Sequence, residues 1–334
     1  MIVNIISEFN ILDSIGKGIF FAGEVGRSIE NTIKIFQKSG IKYRINSTGL
    51  DYDILDVHTI GPFALYLINK AKKNGKKIVI RAHVTSEEMM GDTVLPGRIE
   101  RTFSKSYLKK YYSLADVLVS PSAYTMDKLK QVYGLKNKIE VISNGIDLDK
   151  FSFSKEKREN YRKKFSLNKF TVFSVGHAIK RNGIRSFVRV GRILKDMDFI
   201  WYGERHIESM VELDDLPENM KFPGKVSNIT AAYSSGDVLF FPTMNETQGL
   251  VLLEGAACKR PIVTRDLPVF EEFKDRKHCL KANDNNSFVK CIEELYESPA
   301  LRKTLSENAY AFVLTNHSLN VVGKKFLNLF KSLA

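Results

Sequence analysis

Cysteine is scarce. Cys258, Cys279 and Cys291 are the three in 334 residues, and their spacing fits no zinc or iron–sulfur ligand set. An odd count with no export signal argues against a disulfide-stapled secreted scaffold and fits a reducing cytosol. No apolar run approaches the roughly 18 residues needed to cross a bilayer. The opening MIVNIISEF lacks the basic n-region and small-residue cleavage site of a signal peptide, and it reads as a first strand. No G-x-G-x-x-G joins a first strand to a helix with an acid about 20 positions later, which disfavours a Rossmann dehydrogenase. An RNA-binding aromatic signature, helix-turn-helix spacing and a zinc knuckle are all missing, so nucleic acid is not the expected partner.

Acid is also in deficit. Lys plus Arg number 51 against 38 for Asp plus Glu, a formal net charge of +13. The excess is clustered. KAKKNGKKIVIR (70–81) holds six bases and no acid, and RIERTFSKSYLKKYY (98–112) five bases and one acid. Such a surface attracts polyanions: nucleic acid, an anionic membrane or a phosphorylated substrate.

What is present is a rhythm. Short β-branched runs alternate with longer amphipathic stretches: IVNIIS, then VGRSIENTIKIFQKSG with Ile29, Ile33 and Phe36 at helical spacing, then YDILDVHT, GPFALYLINKAKKNG, KKIVIRAH, ADVLVSPS and KIEVISNG. The polar NGIDLDKFSFSKEKREN interrupts it and marks a domain junction. The alternation restarts with FTVFSVG, GIRSFVRVGRILKDM, DFIWYG, MKFPG and DVLFFPT. This is the sequence form of an α/β chain with two Rossmann-like, doubly wound domains facing a cleft. The first is expected over 1–150 and the second over 151–317, with an amphipathic C-terminal helix, 318–334, packing back on the first.

The stretch NETQGLVLLEGAACKRPIV carries two glutamates, Glu246 and Glu254, eight positions apart. DVLFFPT is a buried-strand pattern, so the loop after it sits at a strand's carboxyl end and opens a helix. The first amides there, on Gln248, Gly249 and Leu250, face an incoming anion or hydroxyl. Eight residues of helix rise about 12 Å, which sets the expected offset of the two glutamates. That exceeds the roughly 5–9.5 Å that glycoside hydrolases place between their two carboxyl groups, so two substrate-binding carboxylates are expected.

Glu246 to Glu254 resembles the E-x7-E motif of the large retaining glycosyltransferase family with the GT-B fold. The flanking FFPTMNETQGLVLLEGAACKRPIV and the upstream NGIDLDKF resemble that family too. The resemblance implies that Glu246 contacts the transferred hexose and that Glu254 holds the ribose of a UDP-hexose, with Thr247, Gln248, Gly249 and Leu250 lining the donor site. It implies front-face transfer with retention, the leaving diphosphate helping to deprotonate the acceptor, and no metal or other cofactor. FSVGHAIKRNGIRSF resembles the phosphate-binding segment, with His177 and Asn182 where the family has arginine and lysine. Arg181 and Lys180 are the cations left to bind the diphosphate. DSIGKGIFFAGEVG resembles the family's glycine loop and places Gly16 and Gly18 at the donor or acceptor. His83, ending RAH, matches a sugar-contacting catalytic histidine, with His58 in DVHT as the competing choice. Asp51–Asp53 and Asp147–Asp149 mimic a metal-binding D-x-D but lie where turns explain them.

FIWYGE and RPIVTRDLPVFEEF are most similar to the diacylglycerol glycosyltransferase branch, which implies a monotopic enzyme at the inner face of the cell membrane. On a helix, Arg98, Arg101, Lys105 and Lys109 form one stripe, with Lys110 beside it, and Ile99, Phe103, Tyr107 and Tyr111 form another. The basic stripe suits an anionic leaflet, and the apolar one packs on the domain or dips into lipid. The expected activity is transfer of glucose or galactose from UDP to diacylglycerol. The alternatives are the same fold acting on a polysaccharide or another lipid-linked acceptor, and a basic nucleic-acid-binding protein.

Overall fold

A computed structural model describes residues 1–8, 24–85, 98–205 and 215–334, with backbone alone for residues 24 and 98–103. The described chain divides into two compact units, one formed by Met1–Gly145 with His317–Ala334 and the other by Ile146–Asn316.

The first unit begins β1 (Ile2–Ile6), α1 (Glu24–Ser39), β2 (Lys42–Ile45), β3 (Ile54–Val57), α2 (Pro62–Lys73) and β4 (Lys77–Arg81). It continues α3 (Arg98–Tyr112), β5 (Val117–Ser120), α4 (Ala123–Gln131) and β6 (Lys138–Val141). Its strands form one parallel sheet in the order β2-β1-β3-β4-β5-β6. The inner strands β3 and β5 are buried throughout, whereas the edge strand β2 is largely exposed. Because side chains alternate across a pleated strand, neighbouring residues feed opposite cores. Leu55, Ile78, Ile80 and Leu118 pack with Leu67 and Ile68 of α2 and Leu108, Tyr111 and Tyr112 of α3. Ile54, Val79, Val117 and Val119 face the other way, onto Phe36 of α1.

The second unit contains α5 (Lys155–Lys164), β7 (Thr171–Val175), α6 (Ile184–Ile193), β8 (Asp198–Tyr202), β9 (Met220–Gly224) and α7 (Ile229–Ser235). After these come β10 (Val238–Phe241), α8 (Leu250–Ala257), β11 (Ile262–Arg265), β12 (Leu280–Ala282), α9 (Asn285–Glu297) and α10 (Pro299–Asn316). Its parallel sheet runs β12-β11-β10-β7-β8-β9. Read from β9, that is the dinucleotide-fold order, and the strand order reverses between β7 and β10. Loops leaving the carboxyl ends of these two strands therefore meet at the topological switch point.

The last helix, α11 (Leu319–Leu333), returns to the first unit. Leu319, Val322, Phe326, Leu329 and Phe330 complete the core that Val3, Ile5 and Phe36 begin. A Cβ on Gly323 would stand 3.2 Å from Ile35 Cγ2, so glycine there lets α11 lie close on α1. Among the described residues no helix is long and apolar enough to cross a membrane.

Candidate active site

Strand β10 is wholly buried, and the chain leaves it at Pro242 to enter α8 at Leu250. Gly249 caps α8 in the left-handed region at φ 80°, and a Cβ there would lie 2.6 Å from the Phe270 ring. Glycine is required twice over, by backbone conformation and by space. The neighbouring loop, from Gly176 to Gly183, leaves β7. Gly183 has φ 86°, and a Cβ on it would lie 2.3 Å from the Pro242 carbonyl oxygen. The two loops are thus pressed backbone to backbone. Met244 N–H donates to the Arg181 carbonyl at 2.8 Å.

This contact gathers several of the polar groups expected from sequence. Glu246 is buried, and the Thr243 hydroxyl lies 3.2 Å from its Oε1. The same hydroxyl is 3.3 Å from the Arg181 carbonyl, so its single proton serves one acceptor at a time. Thr247, Gln248 and Leu250 are also buried. Two donors in these loops, Arg181 Nε and Asn245 Nδ2, are buried without a hydrogen-bond partner among the described residues. Buried donors are nearly always satisfied, so a pair of unsatisfied ones beside Glu246 marks a place for an oxygen-rich ligand. Sequence reasoning overlooked Asn245 and Thr243, although both flank the glutamate in a loop already singled out.

Lys180 is exposed where Arg181 is half-buried. The two family departures serve the loop itself. Asn182 Nδ2 donates to the His177 carbonyl at 2.8 Å, and His177 Nδ1 lies 4.0 Å from Glu204 Oε2.

Glu254 sits in α8, 1% exposed, and Tyr233 Oη of α7 donates to its Oε2 at 2.5 Å. A Cβ on Gly255 would reach within 2.4 Å of Leu239 Cδ2, so α8 is seated tightly on β10. One expectation needs correction. Because α8 begins at Leu250, only the last part of the interval from Glu246 to Glu254 is helical. The offset is a loop plus about one turn, a rise of about 6 Å, and helical geometry no longer separates the pair from hydrolase carboxylates.

In the first unit, His83 follows β4 and His58 follows β3. The rings stack with centroids 5.3 Å apart, and His83 Nε2 lies 3.2 Å from His58 Nδ1. His58 Nε2 stands 3.4 Å from Asp56 Oδ2, and Arg81 clasps Asp56 through two bonds of 2.8 and 2.6 Å. Burial holds both histidines below the usual imidazole range, His83 furthest, so both are neutral near pH 7. Burial alone would raise the Asp56 carboxyl, but Arg81 and then His58 outweigh it and keep the group ionised. The two candidate histidines thus lie together in one buried cluster with Asp56 and Arg81.

Gly16 and Gly18 lie outside the described residues, as do the side chains of Arg98, Arg101, Ile99 and Phe103. Lys105, Lys109 and Lys110 are exposed on α3. On the apolar stripe, Tyr111 is 2% exposed and donates to the Thr59 carbonyl at 2.9 Å, so this part of the stripe packs on the domain. Asp53 accepts the Ile2 N–H at 2.7 Å, Asp51 pairs with Arg44, and Asp147 Oδ1 accepts from Asp149 N–H and Lys150 N–H. These aspartates tie down turns and strand ends.

Two parallel-sheet, Rossmann-like units, the second with a buried glutamate at its switch point, define a GT-B glycosyltransferase. The comparisons agree. Residues 31–150 match the family Glycosyltransferase Family 4, and residues 169–298 match Glycosyl transferases group 1. The chain is 30% identical over 312 residues to a processive diacylglycerol alpha-glucosyltransferase of Acholeplasma laidlawii, covering 90% of this chain and 91% of that one. It is 26% identical to an alpha-galactosylglucosyldiacylglycerol synthase of Streptococcus pneumoniae, over 78% and 72% of the two chains. Its fold matches Anabaena Alr3699/HepE, solved with UDP-glucose, at a TM-score of 0.79 over 99% of this chain and 100% of that one, with 15% identity. The chain belongs to this glycosyltransferase family.

Proposed function

We propose that the protein moves a hexose (glucose or galactose) from UDP to diacylglycerol at a membrane surface, with retention, giving an α-linked monoglycosyl lipid. One observation carries the donor side: the loops after β7 and β10 are bonded backbone to backbone at the switch point, and between them they carry Glu246 and the unsatisfied donors Arg181 Nε and Asn245 Nδ2. That set suits a sugar diphosphate. Arg181, with Lys180 outside it, attracts the phosphates, Glu246 takes the hexose hydroxyls, and Glu254 takes the ribose. The amides opening α8 add donors at a positive helix end.

In the reaction the bond from the anomeric carbon to the UDP oxygen breaks. The acceptor oxygen bonds to that carbon on the same face, and its proton passes to the leaving diphosphate. No metal is required, so EDTA leaves the rate unchanged. The acceptor follows from the similarity to the Acholeplasma laidlawii enzyme. Exposed Lys105, Lys109 and Lys110 add about 1 kcal/mol each toward an anionic leaflet.

The test is incubation with UDP-glucose or UDP-galactose and diacylglycerol in vesicles with and without anionic lipid. The expected product is α-monoglycosyldiacylglycerol, formed faster on anionic vesicles, with the gain reduced by charge reversal at the three lysines. Turnover confined to water-soluble acceptors rejects the lipid assignment.

A further inference from the structure

Tyr233 and Glu254 form the shortest of the contacts that bear on the donor side. The phenol–carboxylate distance of 2.5 Å has the length of a charge-assisted O–H···O⁻ bond. Both residues are buried, Tyr233 completely. The phenol ring is fixed edge-on by Phe151 and Phe173, with centroids 5.8 and 5.7 Å away. The carboxyl end of α7 is fixed as well. Arg158 Nη1 donates to the carbonyls of Ser234, Ser235 and Gly236 at 3.0–3.1 Å. Arg260, three residues beyond α8, donates to the Gly236 carbonyl at 3.2 Å. The helix bearing the phenol and the helix bearing the carboxylate are therefore tied together at two levels.

We infer that Tyr233 is a positioning residue for nucleotide binding: its phenol holds the Glu254 carboxylate in one rotamer, so that the carboxylate presents a fixed acceptor to the vicinal hydroxyls of a ribose. An ionised carboxylate has about four lone-pair sites, and the phenol occupies at least one of them. The bond also offsets the cost of burying the charge, which a carboxylate without a donor would pay in full. The inference rests on the reading that Glu254 receives the ribose.

The experiment compares the affinities of UDP and 2′,3′-dideoxy-UDP by calorimetry for wild type, Glu254→Gln, Tyr233→Phe and the double variant. Wild type should prefer UDP. Tyr233→Phe should reduce that preference by about tenfold, the worth of a hydrogen bond to a charged group. It should have no further effect in the Glu254→Gln background, and a merely structural role would not move this ratio. Tyr233→His, which keeps a ring donor in the cavity, should recover part of the preference, and Tyr233→Leu replaces the phenylalanine variant in the cycle if that variant does not fold. If Glu254→Gln abolishes the preference and Tyr233→Phe leaves it intact, the positioning role is wrong while the ribose reading stands. If Glu254→Gln leaves the preference intact, the ribose reading fails and the inference falls with it.

Discussion

The Met244 N–H donates to the Arg181 carbonyl at 2.8 Å, and that bond joins the loop after β7 to the loop after β10. The cation-bearing and carboxylate-bearing loops are consequently in direct backbone contact, and a disturbance in either should be felt at the other.

Gly183→Ala tests this coupling. The new Cβ would sit 2.3 Å from the Pro242 carbonyl oxygen, in a backbone at φ 86°. Gly40, at φ 67° with nothing within 4 Å, is the control for conformational strain alone. Gly40→Ala should cost about 1–2 kcal/mol. Gly183→Ala should cost more, near the upper part of the 1–3 kcal/mol range for strained sites, and should also weaken UDP binding. Equal shifts in melting temperature for the two variants would show that the loops are not pressed together.

Arg181 and Lys180 should separate clearly. A half-buried guanidinium with an unsatisfied Nε has been desolvated, and an exposed ammonium has not. Arg181→Ala should raise the KM for UDP-hexose about 10- to 100-fold, the range for a charge-assisted hydrogen bond. Lys180→Ala should change it by less than about fivefold, as exposed charges do. The reverse order in steady-state kinetics would move the phosphate elsewhere.

The two glutamates should fail differently. Glu246→Gln should lower kcat by about 100-fold or more, the effect expected of a group acting at the reacting sugar. Glu254→Ala should raise the KM for the donor about tenfold with kcat little changed, because it removes binding common to ground and transition states. Indistinguishable kinetics for the two variants would dissolve their separate roles.

Stability should fall on mild acidification. Burial lowers His58, His83 and His317, the last to about 4. The unfolded chain takes up these protons below about pH 6.5, and the folded chain resists until lower pH. The unfolded state then binds more protons, so each histidine removes about 1.4 kcal/mol per pH unit as pH drops through that window. Asp56, depressed instead, adds stability that is lost only below its unfolded value near 3.8. Urea midpoints from about pH 7.5 to 4.5 should decline, and more shallowly in His317→Asn. A flat profile would contradict the burial of neutral imidazoles.

The central strands were legible because β3, β4, β5, β7 and β10 are mostly apolar and, apart from the first residue of β4, buried along their length, as strands covered on both faces must be. Helix α5 was not. Its sequence KEKRENYRKK buries Tyr161 alone, so no apolar stripe announces it, and it reads as a polar junction. Strand β2 is an edge strand with little buried surface, and KYRI offers a weak signal for the same reason. The motifs alone single out Glu246, Glu254, Lys180 and Arg181. The loop contact was not legible, because it depends on β7 and β10 being neighbours, a fact of strand order that a linear string does not carry. Tyr233 lies 21 positions before Glu254, and only packing brings the two together.

The placement of α11 orders events during synthesis. Val79, Val117 and Val119 await Val322, Phe326 and Phe330, which the ribosome makes more than 200 residues later. The middle of the chain, Ile146–Asn316, can close its own core first. The part of the opening sheet's face that α1 leaves bare stays uncovered until α11 emerges, so apolar surface remains exposed on the nascent chain late into its synthesis.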